Sequence, residues 1–97
     1  MKATVTLIVP CYNEEESLPF FYNAVCDVAR QLPDYGISLL LVNDGSKDGT
    51  LKVMRELAAR DERVQYLSFS RNFGKEAAMY AGFCNAKGDY VAVMDAD

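Results

Sequence analysis

The residues most able to do chemistry come last in the chain: Asp95-Ala96-Asp97, where an apolar run meets two carboxylates. In extended backbone, residues i and i+2 point to the same side, so both acids can face one cleft. Two such charges repel and would push one group to take up a proton unless a cation lies between them. Hard oxygen ligands suit Mg²⁺ or Mn²⁺, which takes one or two protein carboxylates and completes its shell with water and substrate phosphate. A solvated strand terminus is the other reading of the same pair. Asp44, in the turn Asp44-Gly45-Ser46, could accept from a base N–H or a ribose hydroxyl, or could satisfy its own backbone in an Asx-turn. Pro10-Cys11-Tyr12-Asn13-Glu14 offers an aromatic ring to stack on a flat base and a carboxylate beside it. For Glu15 and Glu16 the expected role is complementing the positive end of the helix that follows. Arg71-Asn72-Phe73-Gly74-Lys75-Glu76 sets two cations next to a helix start, a geometry suited to phosphate. Neither GxxxxGK[ST] nor GxGxxG occurs, which disfavours P-loop ATPases and dinucleotide dehydrogenases.

These clusters need elements to hold them. Thr4 to Val9 is a near-continuous apolar run, as in a strand buried on both faces, and Pro10 is expected to end it. Leu18, Phe21, Tyr22, Val25, Ala29 and Leu32 mark one face of a helix, with Ser17 as N-cap, Pro19 in the first turn, and Pro33 and Gly36 ending it. Ser38–Val42 predicts the second strand, and the second helix carries Leu51, Met54, Leu57 and Ala58, ends at Arg60, and is capped by Asp48. Val64–Phe69 predicts the third strand, Gly74–Ala86 the third helix and Tyr90–Met94 the fourth strand. The order is βαβαβαβ, so the fold class is α/β, a Rossmann-like parallel sheet with helices on both faces. Ligands bind such sheets beyond the carboxyl ends of the strands, near the point where strand order reverses. All four polar clusters fall at those ends. Cys26, Cys84 and the aromatics on helical faces read as packing residues.

Composition narrows the class further. The 97 residues are 51% hydrophobic and 25% charged, with 10 basic against 14 acidic side chains and a net charge of −4. That is one globular domain, and no positive field is present to capture nucleic acid. No apolar run approaches the ~20 residues that span a bilayer, and no secretion signal is visible. Three cysteines without CxxC spacing, and no histidine, suggest a reduced, cytoplasmic setting.

Taken in order, Val9–Glu16, Val42–Thr50, Arg71–Glu76, Ala86–Tyr90 and Asp95–Asp97 resemble family 2 glycosyltransferases. The similarity is greatest to the branch that charges a polyprenyl phosphate with a sugar, such as bactoprenol glucosyltransferases and dolichyl-phosphate mannose synthases. One departure is Asn43-Asp44-Gly45-Ser46, where many relatives carry Asp-Asp-Gly-Ser. The resemblance implies that residues 1–97 are the nucleotide-binding half of a GT-A fold, the N-terminal part of a longer transferase domain. It implies that Pro10, Tyr12 and Glu14 line a base pocket and that Asp44 contacts base or ribose. Lys75 would lie near the diphosphate, and Asp95 with Asp97 would address ribose, diphosphate and a Mg²⁺ or Mn²⁺ ion. The implied reaction is inverting, metal-dependent transfer from a nucleotide sugar, UDP-sugar favoured, to a polyprenyl phosphate, for cell wall or envelope glycan synthesis. The general base is not in this stretch, the chain alone is expected to be inactive, and its parent is expected to be anchored on the cytoplasmic face of a membrane. A soluble family 2 enzyme acting on a saccharide or protein, and a non-catalytic α/β nucleotide-binding module, are the alternative readings. A half-domain ending at its fourth strand is also expected to expose edges that favour self-association.

Overall fold

The computed structural model describes residues 3–96. Seven elements alternate: β1 (Ala3–Cys11), α1 (Leu18–Gln31), β2 (Tyr35–Asn43), α2 (Thr50–Arg60), β3 (Val64–Ser68), α3 (Lys75–Asn85) and β4 (Tyr90–Val93). All pairings are parallel, in the order β3-β2-β1-β4. The chain therefore steps outward from β1 through β2 to β3 and then returns to the other side of β1. Strand order reverses between β1 and β4.

Alternation along the central strands builds a core on each face. Val9, Leu39 and Leu41 pack with Leu18 of α1 and Met54 and Leu57 of α2, while Ile8 and Val42 face the opposite way and pack with Ala78 of α3. Gly82 brings α3 close to the sheet: a Cβ there would lie 2.4 Å from Ile8 Cγ2. Reciprocal bonds pin the α3–β4 connection to the start of β1. Thr4 N–H donates to Asp89 Oδ2 at 2.8 Å and Asp89 N–H donates to Thr4 Oγ1 at 2.9 Å, so Tyr90 enters opposite Val5.

Several expectations change at the element ends. Pro10 does not break β1, which runs on to Cys11. Ile8 O accepts from Met94 N–H at 2.9 Å, so residue 10, two further along, turns its missing N–H to the same β4 side, past the last β1–β4 pair. The β2 edge is not interrupted there. Gly36 belongs to β2, paired with Thr4, and α1 ends at Gln31, with Leu32 as C-cap ahead of Pro33. Ser17 occupies the N-cap position of α1 but its hydroxyl bonds Glu14 Oε2 at 2.6 Å instead of capping an N–H. Asp48 is not the N-cap of α2, a position Gly49 holds; from one residue earlier its Oδ1 accepts from Thr50 N–H, the first of the helix, at 2.9 Å. The aromatics divide: Phe21 and Tyr22 pack on the core, but Phe20, Tyr80 and Phe83 are exposed, as is Cys84. From Ala77 to Cys84, α3 is apolar on all sides and the sheet covers only one of them.

At the far end of the sheet, Asp61 gathers Arg63, whose Nη2 lies 2.8 Å from Oδ2, and the Tyr22 hydroxyl, which donates to Oδ2 at 2.7 Å. The Arg63 hydrogen bonds, aided by Tyr22, hold the Asp61 carboxyl well below the usual range. Hydrogen bonding to Asp61 and Cys26, with some burial, pushes the Tyr22 hydroxyl up to about 12. A lowered carboxyl stabilises the fold above about pH 4, the unfolded value, and that contribution is lost as pH falls further. A raised phenol stabilises it below about pH 10, and that contribution disappears on the way to about pH 12. Thermal melts of Tyr22→Phe should lose part of the decline between these two alkaline limits while keeping most of the acid limb. An alkaline limb identical to that of the parent would show the Tyr22 bond to be energetically silent.

Candidate functional site

The loops at the carboxyl ends of the strands hold one another by side-chain bonds. Asn13, at φ 54°, is the one described residue other than glycine with positive φ, a conformation asparagine tolerates. Its N–H donates to Ser46 Oγ at 3.0 Å and its Oδ1 accepts from Lys47 N–H at 2.8 Å. Glu14 N–H donates to the buried Thr50 Oγ1 at 2.9 Å. Glu15 does not serve α1: its Oε1 accepts from Gly49 N–H at 3.0 Å, so it complements the start of α2. The loop after β1 is thereby sewn to the loop after β2.

The third loop is tied in by β2. Asn43, not Asp44, makes the local turn, its Oδ1 accepting from Ser46 N–H at 3.0 Å while Nδ2 donates to Ser68 Oγ at 3.1 Å. Asp44 reaches across instead, and its carboxylate accepts from Phe73 N–H and Gly74 N–H at 2.8 and 3.1 Å. Of the two cations flanking this loop, Arg71 lies over the Phe73 ring, 4.4 Å from its centroid. Lys75 turns the other way, and its Nζ pairs with Asp95 Oδ1 at 2.7 Å.

These loops enclose a cavity of about 220 Å³ lined by Pro10, Cys11, Tyr12, Glu14, Asp44, Lys75 and Asp95. It opens where strand order reverses. The structure thus brings Pro10, Tyr12, Glu14, Asp44, Lys75 and Asp95 around one space; Asp97 lies outside the described residues. Tyr12 is half-exposed at the rim and Asp44 is buried in the wall. Ala96 is buried against the α1 and α2 face, which anchors the segment whose preceding carboxylate, Asp95, stays open to solvent. Asn13, Thr50 and Asn72 shape this site without standing out by chemistry in the sequence; an asparagine two residues past a strand end, before an acidic run, is the signal for the first of them.

Among the described residues no three acidic, thiol or imidazole groups cluster as a ready-made metal cage. The donor chemistry nevertheless fits a hard divalent cation. Asp95 offers one carboxylate at the cavity, and Mg²⁺ or Mn²⁺ needs only one or two from protein when phosphate and water supply the rest. Lys75 now balances that charge.

Residues 6–97 match the family model described as "Glycosyl transferase family 2". The chain belongs to glycosyl transferase family 2. A bactoprenol glucosyl transferase of Shigella phage SfV is 45% identical over 93 residues, covering 96% of this chain and 30% of that protein. An undecaprenyl-phosphate 4-deoxy-4-formamido-L-arabinose transferase of Pseudomonas fluorescens (strain SBW25) is 38% identical over 94 residues, 96% of this chain and 27% of that one. The chain spans under a third of the length of these curated relatives. Among solved structures, the mannosyltransferase PcManGT from Pyrobaculum calidifontis, in complex with GDP-Man and Mn²⁺, superposes with TM-score 0.84 at 24% identity, over 100% of this chain and 28% of that one. S. aureus TarS 1-349 in complex with UDP gives 0.79 at 23% identity, with the same coverage. The expected Rossmann-like sheet of a GT-A glycosyltransferase is the fold observed. No helix among the described residues is long and apolar enough to cross a membrane.

Proposed function

We propose that this chain is the donor-binding part of a family 2 transferase that moves a sugar from a nucleoside diphosphate, UDP foremost, to a polyprenyl phosphate. The observation that carries the reading is a cavity at the strand-order reversal, ringed by an aromatic and carboxylates from the loops after β1, β2 and β4 and by a lysine at the start of α3. The names of the relatives, which act on bactoprenol or undecaprenyl phosphate, support the acceptor class. Tyr12 and Pro10 would flank the base, with Glu14 near its N–H groups, and Asp95 would meet ribose and diphosphate beside Lys75.

In the reaction an acceptor phosphate oxygen attacks the anomeric carbon as the bond to the diphosphate oxygen breaks. The nucleoside diphosphate departs, and direct attack inverts the centre. A phosphate acceptor is largely ionised at neutral pH, so the step requires no strong base to strip a hydroxyl proton. Mg²⁺ or Mn²⁺, held by Asp95 and Asp97, would supply charge neutralisation to the leaving diphosphate. A lipid-linked acceptor places the working protein at the cytoplasmic face of a membrane, with this chain contributing the donor site.

Calorimetry with UDP and GDP, with and without Mn²⁺, tests the reading. Mn²⁺ should tighten binding of one nucleotide, and Asp97→Ala should abolish that increment, about tenfold, while leaving the fold intact. No nucleotide binding with Mn²⁺ present, or an increment unchanged in Asp97→Ala, would remove the reading.

A further inference from the structure

Asn13 stands between two residues of the cavity wall without belonging to it. Tyr12 and Glu14 both line the space that a nucleotide base would enter, whereas the Asn13 side chain turns to the loop after β2. There its Oδ1 accepts from Lys47 N–H at 2.8 Å, and its own N–H donates to Ser46 Oγ at 3.0 Å. Ser46 is fixed in turn, because its N–H donates to Oδ1 of Asn43, a buried residue at the end of β2. On one side of this bridge Cys11 O accepts from Asp44 N–H at 2.9 Å, and on the other Glu14 N–H donates to Thr50 Oγ1 at 2.9 Å. Tyr12, half-exposed at the rim, is thus placed by its neighbours' bonds more than by burial. The backbone turns at Asn13 itself. Its φ of 54° lies in the left-handed region, which most residues with a Cβ avoid and which asparagine tolerates. One residue therefore supplies both the bend between Tyr12 and Glu14 and the anchor that holds the bend against the second loop.

We propose that Asn13 is a positioning residue for recognition of the donor's base, acting through the backbone on Tyr12 and Glu14. The inference rests on the nucleotide-sugar reading above and adds to it what holds the base side of the cavity in shape. A stacking ring and a carboxylate recognise a base tightly only when both are held in place before it arrives, because ordering them on binding would cost affinity. Two hydrogen bonds and one backbone conformation, all of a single residue, hold them here. If the turn at Asn13 relaxed, Tyr12 and Glu14 would leave their places together. The apparent affinity for the base would then fall with the fraction of molecules still correctly bent. The diphosphate end is built from other elements: Lys75 opens α3, Asp95 follows β4, and the two pair with each other. The two ends of the donor thus depend on different residues.

Comparing a nucleotide with a diphosphate that carries no base separates the two ends. Asn13→Ala removes the Oδ1 acceptor and disfavours the left-handed turn at once, whereas Asn13→Asp keeps an acceptor for Lys47 N–H and tolerates that turn. With Mn²⁺ present, UDP should bind about tenfold more weakly to Asn13→Ala, as if about one molecule in ten kept the bend, while inorganic pyrophosphate should bind as to the parent. Asn13→Asp should recover most of the lost UDP affinity. Ser46→Ala, which takes away the acceptor of the Asn13 N–H, should weaken UDP in the same direction and add less than its full effect to Asn13→Ala, since both act on one bend. It carries the test alone if Asn13→Ala does not fold. GDP replaces UDP if calorimetry selects guanine. Equal losses of UDP and pyrophosphate, unchanged UDP binding in Asn13→Ala, or no recovery in Asn13→Asp would overturn the inference while leaving the nucleotide reading in place. A parent chain that binds neither nucleotide would overturn both.

Discussion

Truncating Leu41 to alanine is expected to cost about 2–5 kcal/mol of stability. Leu41 is fully buried in β2, flanked by β1 and β3, and belongs to the core shared with α1 and α2. The loss combines transfer of its methyl groups with a cavity that three rigid strands cannot collapse to fill. A domain of this length has roughly 5–15 kcal/mol to lose, so one such site consumes a large share. Val91 in β4 gives the contrast, being 37% exposed on a strand paired on one side only. Val91→Ala should change stability by under about 1 kcal/mol. Urea melts of the two variants measure the difference, and equal midpoints would contradict the layered core described above.

The second large effect concerns charge at the cavity. Lys75→Glu is expected to weaken UDP binding by about a hundredfold, because it removes an attraction to the diphosphate and installs a repulsion in the same place. It also sets a second carboxylate beside Asp95, where the parent has an ion pair of 2.7 Å. The pair itself is over half exposed on both sides, so stability should barely change. The affinity difference between parent and variant should shrink as salt is raised. Calorimetry across a salt series reads both quantities, and an affinity indifferent to the reversal would place the diphosphate away from Lys75.

Much of this architecture was legible because burial on both faces leaves a plain mark. Thr4–Val9 and Ser38–Val42 are apolar runs with few other uses, and the helical spacing of Leu51, Met54 and Leu57 points at the sheet they cover. The cavity followed from the rule for parallel sheets, since Tyr12, Asp44 and Asp95 each stand just past a strand. Partner choice was not legible. Glu15 could equally have served α1, which starts three residues later, or α2, and only the approach of the two loops sends it to Gly49. Asp44 likewise had a local option that Asn43 took instead, leaving it to reach a segment some thirty residues onward. The exposed Tyr80 and Phe83 show the limit of periodicity: a helix apolar on all sides does not say which side the rest of the molecule covers.

Pro10 has one further effect on the crevice. Continuing the β1–β4 ladder by one rung in the same register would require the N–H of residue 10 to donate to Met94 O, the step after Met94 N–H to Ile8 O. Proline has no hydrogen to give, so the paired ladder ends at Ile8–Val93, like a zipper with a stop sewn into it. The gap in which a ligand would lie is thus kept from sealing by the absence of a single donor, and the same ring that halts the seam forms part of the wall beside it.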